Sequence, residues 1–136
     1  MSKLYINLPV ADLAKSIEFY KTLGFEQNLQ FTDEKASAMM WHDDFSVMLL
    51  SQDFFSRFVP TDKTISDSHI TTEVLSAVEV DSREMVDTIF EKAISAGGKK
   101  TVDTYDYGFM YGRDFEDLDG HIWEVFYMDM SQMPTE

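Results

Sequence analysis

The order of structural punctuation in this chain occurs twice: an alternating strand, a capping residue, a helical stripe, a glycine stop, then further strand-like runs. Residues 4 to 10 (LYINLPV) alternate and end in Pro9, which suits a strand end or edge. Asp12 suits a helix N-cap, Leu13, Ile17 and Tyr20 follow at helical spacing, and Gly24 suits the stop. Strand-like runs are expected at 25 to 31, about 36 to 41, and 46 to 50. The second half opens with VLSAVEV at 74 to 80, and Asp81 with Glu84 reads as a capping box. Met85, Ile89 and Ala93, with Val86 and Phe90, give the second helical stripe, which Gly97-Gly98 ends. Strands are then expected at about 100 to 104, 109 to 113 and 121 to 127. The polar stretch 51 to 70, with Pro60, reads as a connecting arm.

This repeat of pattern predicts an α+β fold. Two βαβββ modules lie in one chain, module one about 1-58 and module two about 70-130. Strongly curved mixed sheets are expected to enclose a cleft, with the helices outside. Alternation assigns the strand faces. Leu4, Ile6, Leu8 and Val10 pack under the helices, leaving Tyr5 and Asn7 opposite. Val74, Val78 and Val80 do the same in the second module, leaving Leu75, Ala77 and Glu79 opposite. In the last strand Glu124 shares a face with Ile122 and Phe126, while Trp123 turns toward the helices.

Composition narrows the function. The chain has 136 residues, a net charge of −14 and no cysteine, which excludes disulfides, thiolate metal sites and a Cys nucleophile. The acidity argues against nucleic acid, whose phosphates need Lys and Arg. No apolar run reaches membrane-spanning length and no signal pattern opens the chain, so no membrane partner and a cytoplasmic setting are expected. The stretch YDYGFMYGRDF, 105 to 115, is dense in aromatic side chains suited to stacking on a planar ligand. Within it, Arg113 is expected to pair with a neighbouring Asp or Glu. Met39, Met40 and Met48 suit an adaptable pocket. A Glu in a core-like strand needs a partner or water, and an apolar surround would raise the Glu124 pKa.

LPVADLAKSIEFYKTLGFE resembles the opening of the vicinal oxygen chelate superfamily, which includes glyoxalase I, bleomycin-resistance proteins and extradiol dioxygenases. DLDGHIWEVF resembles its closing strand, where a DPDG-type turn precedes a carboxylate. The resemblance covers nearly the whole chain and implies a single domain over 1-136 built of the paired modules. It also implies a homodimer. Catalytic members hold a divalent metal with His, Gln or Glu from four strands. Carried over, those positions are Tyr5, Leu49, Leu75 and Glu124, and only Glu124 has a ligand-type side chain. No cofactor is therefore expected. A divalent metal is the alternative, with ligands relocated to Asn7, Glu73 and Glu124. The three histidines read as surface or turn residues.

The reading that follows is a protein without the usual metal site, binding a small organic molecule in an acidic, aromatic cleft. Its candidate ligand-binding residues are Tyr5, Asn7, Leu49, Glu73, Leu75, Tyr111, Arg113 and Glu124, and no catalytic residue is assigned. The alternatives are a metal-dependent lyase, dioxygenase or transferase, and a regulatory or structural dimer with a vestigial cleft.

Overall fold

A computed structural model describes residues 2–134. The chain divides into two compact units, Met1–Thr71 and Thr72–Glu136. Each carries its own sheet, of four and five strands respectively.

In the first unit, β1 (Leu4–Val10) is followed by α1 (Leu13–Leu23), then β2 (Glu26–Thr32), β3 (Ala36–His42) and β4 (Phe45–Ser51). Asp12 caps α1 by accepting from the Lys15 amide at 3.1 Å, and Gly24 closes it, as the sequence predicts. The sheet order is β1-β4-β3-β2, with β1 and β4 parallel and the other pairs antiparallel. Phe19, Tyr20 and Leu23 of α1 are buried, as are Val10, Met39, Val47 and Leu49 of one sheet face. Burial of such side chains is the main favourable term in folding. The arm is not wholly irregular, because Gln52–Ser56 forms a short helix, α2, packed on β1 and β4. Ser51 caps it, its hydroxyl accepting from the Phe54 amide at 3.3 Å.

In the second unit, β5 (Leu75–Glu79) leads into α3 (Arg83–Ser95). The cap is Ser82, whose Oγ accepts from the Met85 amide at 3.0 Å, and not the expected Asp81. Glu84 sits in the first turn, where a negative charge meets the positive end of the helix. The expected strand at 100 to 104 is replaced by two short ones, β6 (Lys99–Lys100) and β7 (Tyr105–Asp106). The next strand, β8, runs over Met110–Glu116, longer than expected, and is followed by β9 (Ile122–Met128). The order is β5-β9-β8-β6, with β7 also on β8, and β5 parallel to β9. α3 buries Val86, Ile89, Phe90 and Ala93, and packs on β8 and β9. Among the described residues no helix is long and apolar enough to cross a membrane.

Candidate functional site

Paired residues of adjacent strands share a sheet face. In the first unit β1 pairs Tyr5 with Ser46, Asn7 with Met48 and Pro9 with Leu50. This face is turned away from the buried Val47 and Leu49. Leu49 pairs instead with Leu8 and is fully buried. It therefore lies in the core beneath α1, on the opposite face from Tyr5 and Asn7, and is placed for packing and not for contact with a ligand. The residues of β4 beside Asn7 are Met48 and Leu50, which donate no oxygen or nitrogen.

α2 and the arm after it roof this face. Together they border an open-sided cavity of about 620 Å³, lined by Asn7, Met48 and Leu50 from the strands, and by Phe54, Phe55, Phe58, Val59, Pro60, Lys63 and Thr64. That volume is in the range of sites for small organic ligands. Phe54 and Phe58 meet edge to face at 5.3 Å between centroids. The Lys35 ammonium and the Arg57 guanidinium each lie 5.8 Å from the Phe54 centroid, within reach of a cation–π contact. The Lys63 amide donates to the Pro60 carbonyl at 3.0 Å, a turn that brings Lys63 to the cavity. Phe58 is 69% exposed, a large apolar surface left to water beside the cavity. Of the expected ligand-binding residues only Asn7 lines this space, joined by Met48, which the sequence reads as a pocket methionine. Sequence reasoning missed its roof, and the signal was present: QDFFSRF puts three phenylalanines into an otherwise polar stretch.

The second unit places Glu124 on the face away from α3, as alternation predicts. Across β8 and β9, Asp114 pairs directly with Glu124 and Gly112 with Phe126. Asp114 is only 5% exposed. Its carboxyl is held above the usual aspartate range, chiefly because burial penalises the charged form. The neighbouring Glu124 charge and a hydrogen bond with Glu124 push the same way, while the Tyr105 hydroxyl, donating to Asp114 Oδ1 at 3.1 Å, opposes them. Tyr105 is itself raised, first by burial and then by the Asp114 charge. Its ring lies against Gly112 so closely that any side chain there would collide with it. Glu124 thus has a partner, and it is the adjoining Asp114, which was not among the expected site residues.

The turn before β9 is built by its own sequence. Asp117 Oδ1 accepts from the amides of Asp119 and His121, each at 2.9 Å. Gly120 takes φ +90°, a conformation that glycine adopts without a Cβ penalty. The acidic turn fixes where β9 starts, and so where Glu124 stands.

Tyr111 and Arg113 do not join that group. Their odd positions in β8 put them on the α3 side, where the Tyr111 hydroxyl donates to Asp87 at 2.6 Å and Arg113 donates to the same oxygen at 3.1 Å. The Arg113 guanidinium also stacks 3.9 Å from the Phe90 centroid. These contacts hold the helix to the sheet and place both side chains against α3, apart from Asp114 and Glu124. The expected ion pair of Arg113 is present. Trp123 faces the helix side and is buried, as predicted. Leu75 begins β5, is 53% exposed, and pairs with Ile122 on the Glu124 face. Glu73 is exposed and lies before β5 starts, where strand alternation no longer assigns it a face. His42 ends β3, His69 lies in the arm, and His121 precedes β9.

A divalent metal needs several oxygen or nitrogen donors converging on one point. The positions carried over from the resemblance supply a phenol, two hydrocarbons and one carboxylate already engaged by a neighbour. Among the described residues no group of three or more His, Asp or Glu side chains is placed to hold such an ion. The donor set does not fit.

Comparison with known proteins agrees with this architecture. A hypothetical protein from S. aureus (SA1046) superposes with a TM-score of 0.78 at 28% identity, covering 93% of this chain and 94% of that one. A glyoxalase/bleomycin resistance protein/dioxygenase family enzyme from Burkholderia phytofirmans PsJN gives 0.76 at 16% identity, over 94% of this chain and 99% of that one. TioX from Micromonospora sp. ML1 gives 0.65 at 19% identity, over 94% and 99%. The last two likenesses speak for the fold alone. No curated protein matches the chain. The family model for the glyoxalase/bleomycin resistance protein/dioxygenase superfamily matches residues 4–125, and this chain belongs to that superfamily.

Proposed function

We propose that this chain binds a small organic molecule without using a divalent metal, in the cavity beneath α2. The observation that carries the reading is the cavity itself: about 620 Å³, floored by Met48 and Leu50 and walled by phenylalanines. Apolar walls with a few polar groups are what a small-molecule site requires. The same reading makes the protein a homodimer that works inside the cell. Large apolar side chains exposed on β1 and β5 support the dimer, since such surface favours a covering partner.

The test is titration with a neutral apolar dye, N-phenylnaphthylamine, whose emission rises in apolar surroundings. Wild-type protein gives saturable one-site binding, and Met48→Trp, which fills the floor, abolishes it without lowering the Tm. Met85→Trp, on the exposed side of α3, leaves it intact. Non-saturable binding, or binding untouched by Met48→Trp, sinks the reading. Added Zn, Mn, Ni or Fe(II) leaves both dye affinity and Tm unchanged. A saturable rise in Tm with any of them would show a native-state metal site instead.

A further inference from the structure

Resting on the cavity as the binding site, we propose that its ligand is an apolar or aromatic monocarboxylic acid, held with its carboxylate at Lys63 and its body on the phenylalanine wall. The chain holds 25 acidic residues against 11 basic ones, so a lysine in it has no shortage of partners. Lys63, like most of the basic residues, makes no ion pair among the described residues, so its charge is available; what sets it apart is its place. It is the only charged side chain in the cavity lining, which contains no carboxylate.

Lysine lays its methylene stem along apolar surface and keeps its ammonium in water. Its residue is exposed, so its ammonium stays in reach of water, while Met48, Leu50, Phe54 and Phe55 make the rest of the lining apolar. An occupant that satisfies both ends is apolar along its length and anionic at one end. Asn7 adds an amide that can donate to a ligand oxygen or accept from a hydroxyl. A single ammonium matches a monoanion. A phosphate ester, carrying nearly two charges, is characteristically met by an Arg cluster or a helix N-terminus, and the lining offers neither. Lys35 and Arg57, beside Phe54, add positive potential near this region, while the negative charge of the chain as a whole disfavours anions elsewhere on it. The acidic cleft expected from the composition is not what this cavity presents.

Three compounds with one apolar body separate the possibilities: phenylbutanoate, phenylbutanamide and phenylbutylamine, each titrated against dye-loaded protein. The carboxylate displaces the dye at about two- to five-fold lower concentration than the amide, the gain expected of a solvent-accessible ion pair, and the amine is weakest. Lys63→Gln reduces the carboxylate to the level of the amide, and Lys21→Gln, which removes the same charge from α1, does not. Equal binding of carboxylate and amide in the wild type overturns the anionic assignment while leaving the cavity as a binding site. Tightest binding of the amine overturns its sign. A preference that survives Lys63→Gln removes Lys63 from the site, and a bound dye that none of the three displaces overturns the ligand class. Failure of the dye itself to bind overturns the underlying reading.

Discussion

Asp114 and Glu124 stand side by side on neighbouring strands, and two carboxyl groups so placed cannot both ionise without cost. Asp114, the more buried, has its pKa raised by burial first and by Glu124 second. A carboxyl raised by folding contributes stability that is complete below its unfolded pKa, about 3.9 for aspartate, and is lost as pH climbs through the folded value. Asp114→Asn keeps the acceptor for Tyr105 and supplies a permanent donor toward Glu124. Its stability advantage over wild type is therefore small near pH 4 and grows toward neutrality, as urea melts at a series of pH values will read. A constant difference across that range would mean that folding does not raise the Asp114 carboxyl. Tyr105→Phe, which removes the hydroxyl that donates to Asp114, costs about 1 kcal/mol at neutral pH. The face of Glu124 was legible in the sequence because β9 alternates without interruption. Its partner was not, because the strand expected at 109 to 113 ends one residue short of Asp114.

At the level of elements, α3 is held to β8 through polar contacts centred on Asp87. Removing that carboxylate leaves the Tyr111 hydroxyl and the Arg113 guanidinium without their acceptor, on an interface that is partly solvent-accessible. Asp87→Ala is expected to cost about 1–2 kcal/mol by urea denaturation, and to leave dye binding in the first unit unchanged. Loss of dye binding with stability intact would contradict the structural role. The repeated element order was readable because each helix carries two or three turns of apolar stripe and a capping residue. α2 was not, because five residues cannot display a helical period and its stability comes from the Ser51 cap and the contact with β1 and β4. Asp81 and Ser82 are both good N-caps, and the choice between them depends on backbone dihedrals that a sequence does not display. Composition alone groups Tyr111 and Arg113 with the aromatic stretch that suits a ligand. Alternation within β8 alone separates them from Gly112 and Asp114.

The whole molecule presents two opposing demands. β1 and β5 are each the first strand of a sheet edge, and they expose large apolar residues there: Leu4 at 58%, Tyr5 at 54% and Leu75 at 53%. Edge strands of this kind invite pairing or cover, and a second copy of the chain is the occupant proposed. Against it stands the net charge of −14, which two copies double to −28. Repulsion between exposed charges weakens with ionic strength, since the screening length falls from about 30 Å at 0.01 M salt to about 8 Å at 0.15 M. Apolar contact does not weaken over that range. The dimer is therefore expected to tighten as salt rises, and sedimentation velocity at micromolar protein should show the monomer fraction falling between those two conditions. Leu75→Asp adds a charge to the apolar edge and should shift the population toward monomer at both salts, while Val102→Asp, comparably exposed but in the loop between β6 and β7, should not. A monomer at both ionic strengths would leave the exposed edges of β1 and β5 to some other partner. A dimer that salt dissociates would mean that ion pairs, and not the apolar strands, hold the copies together.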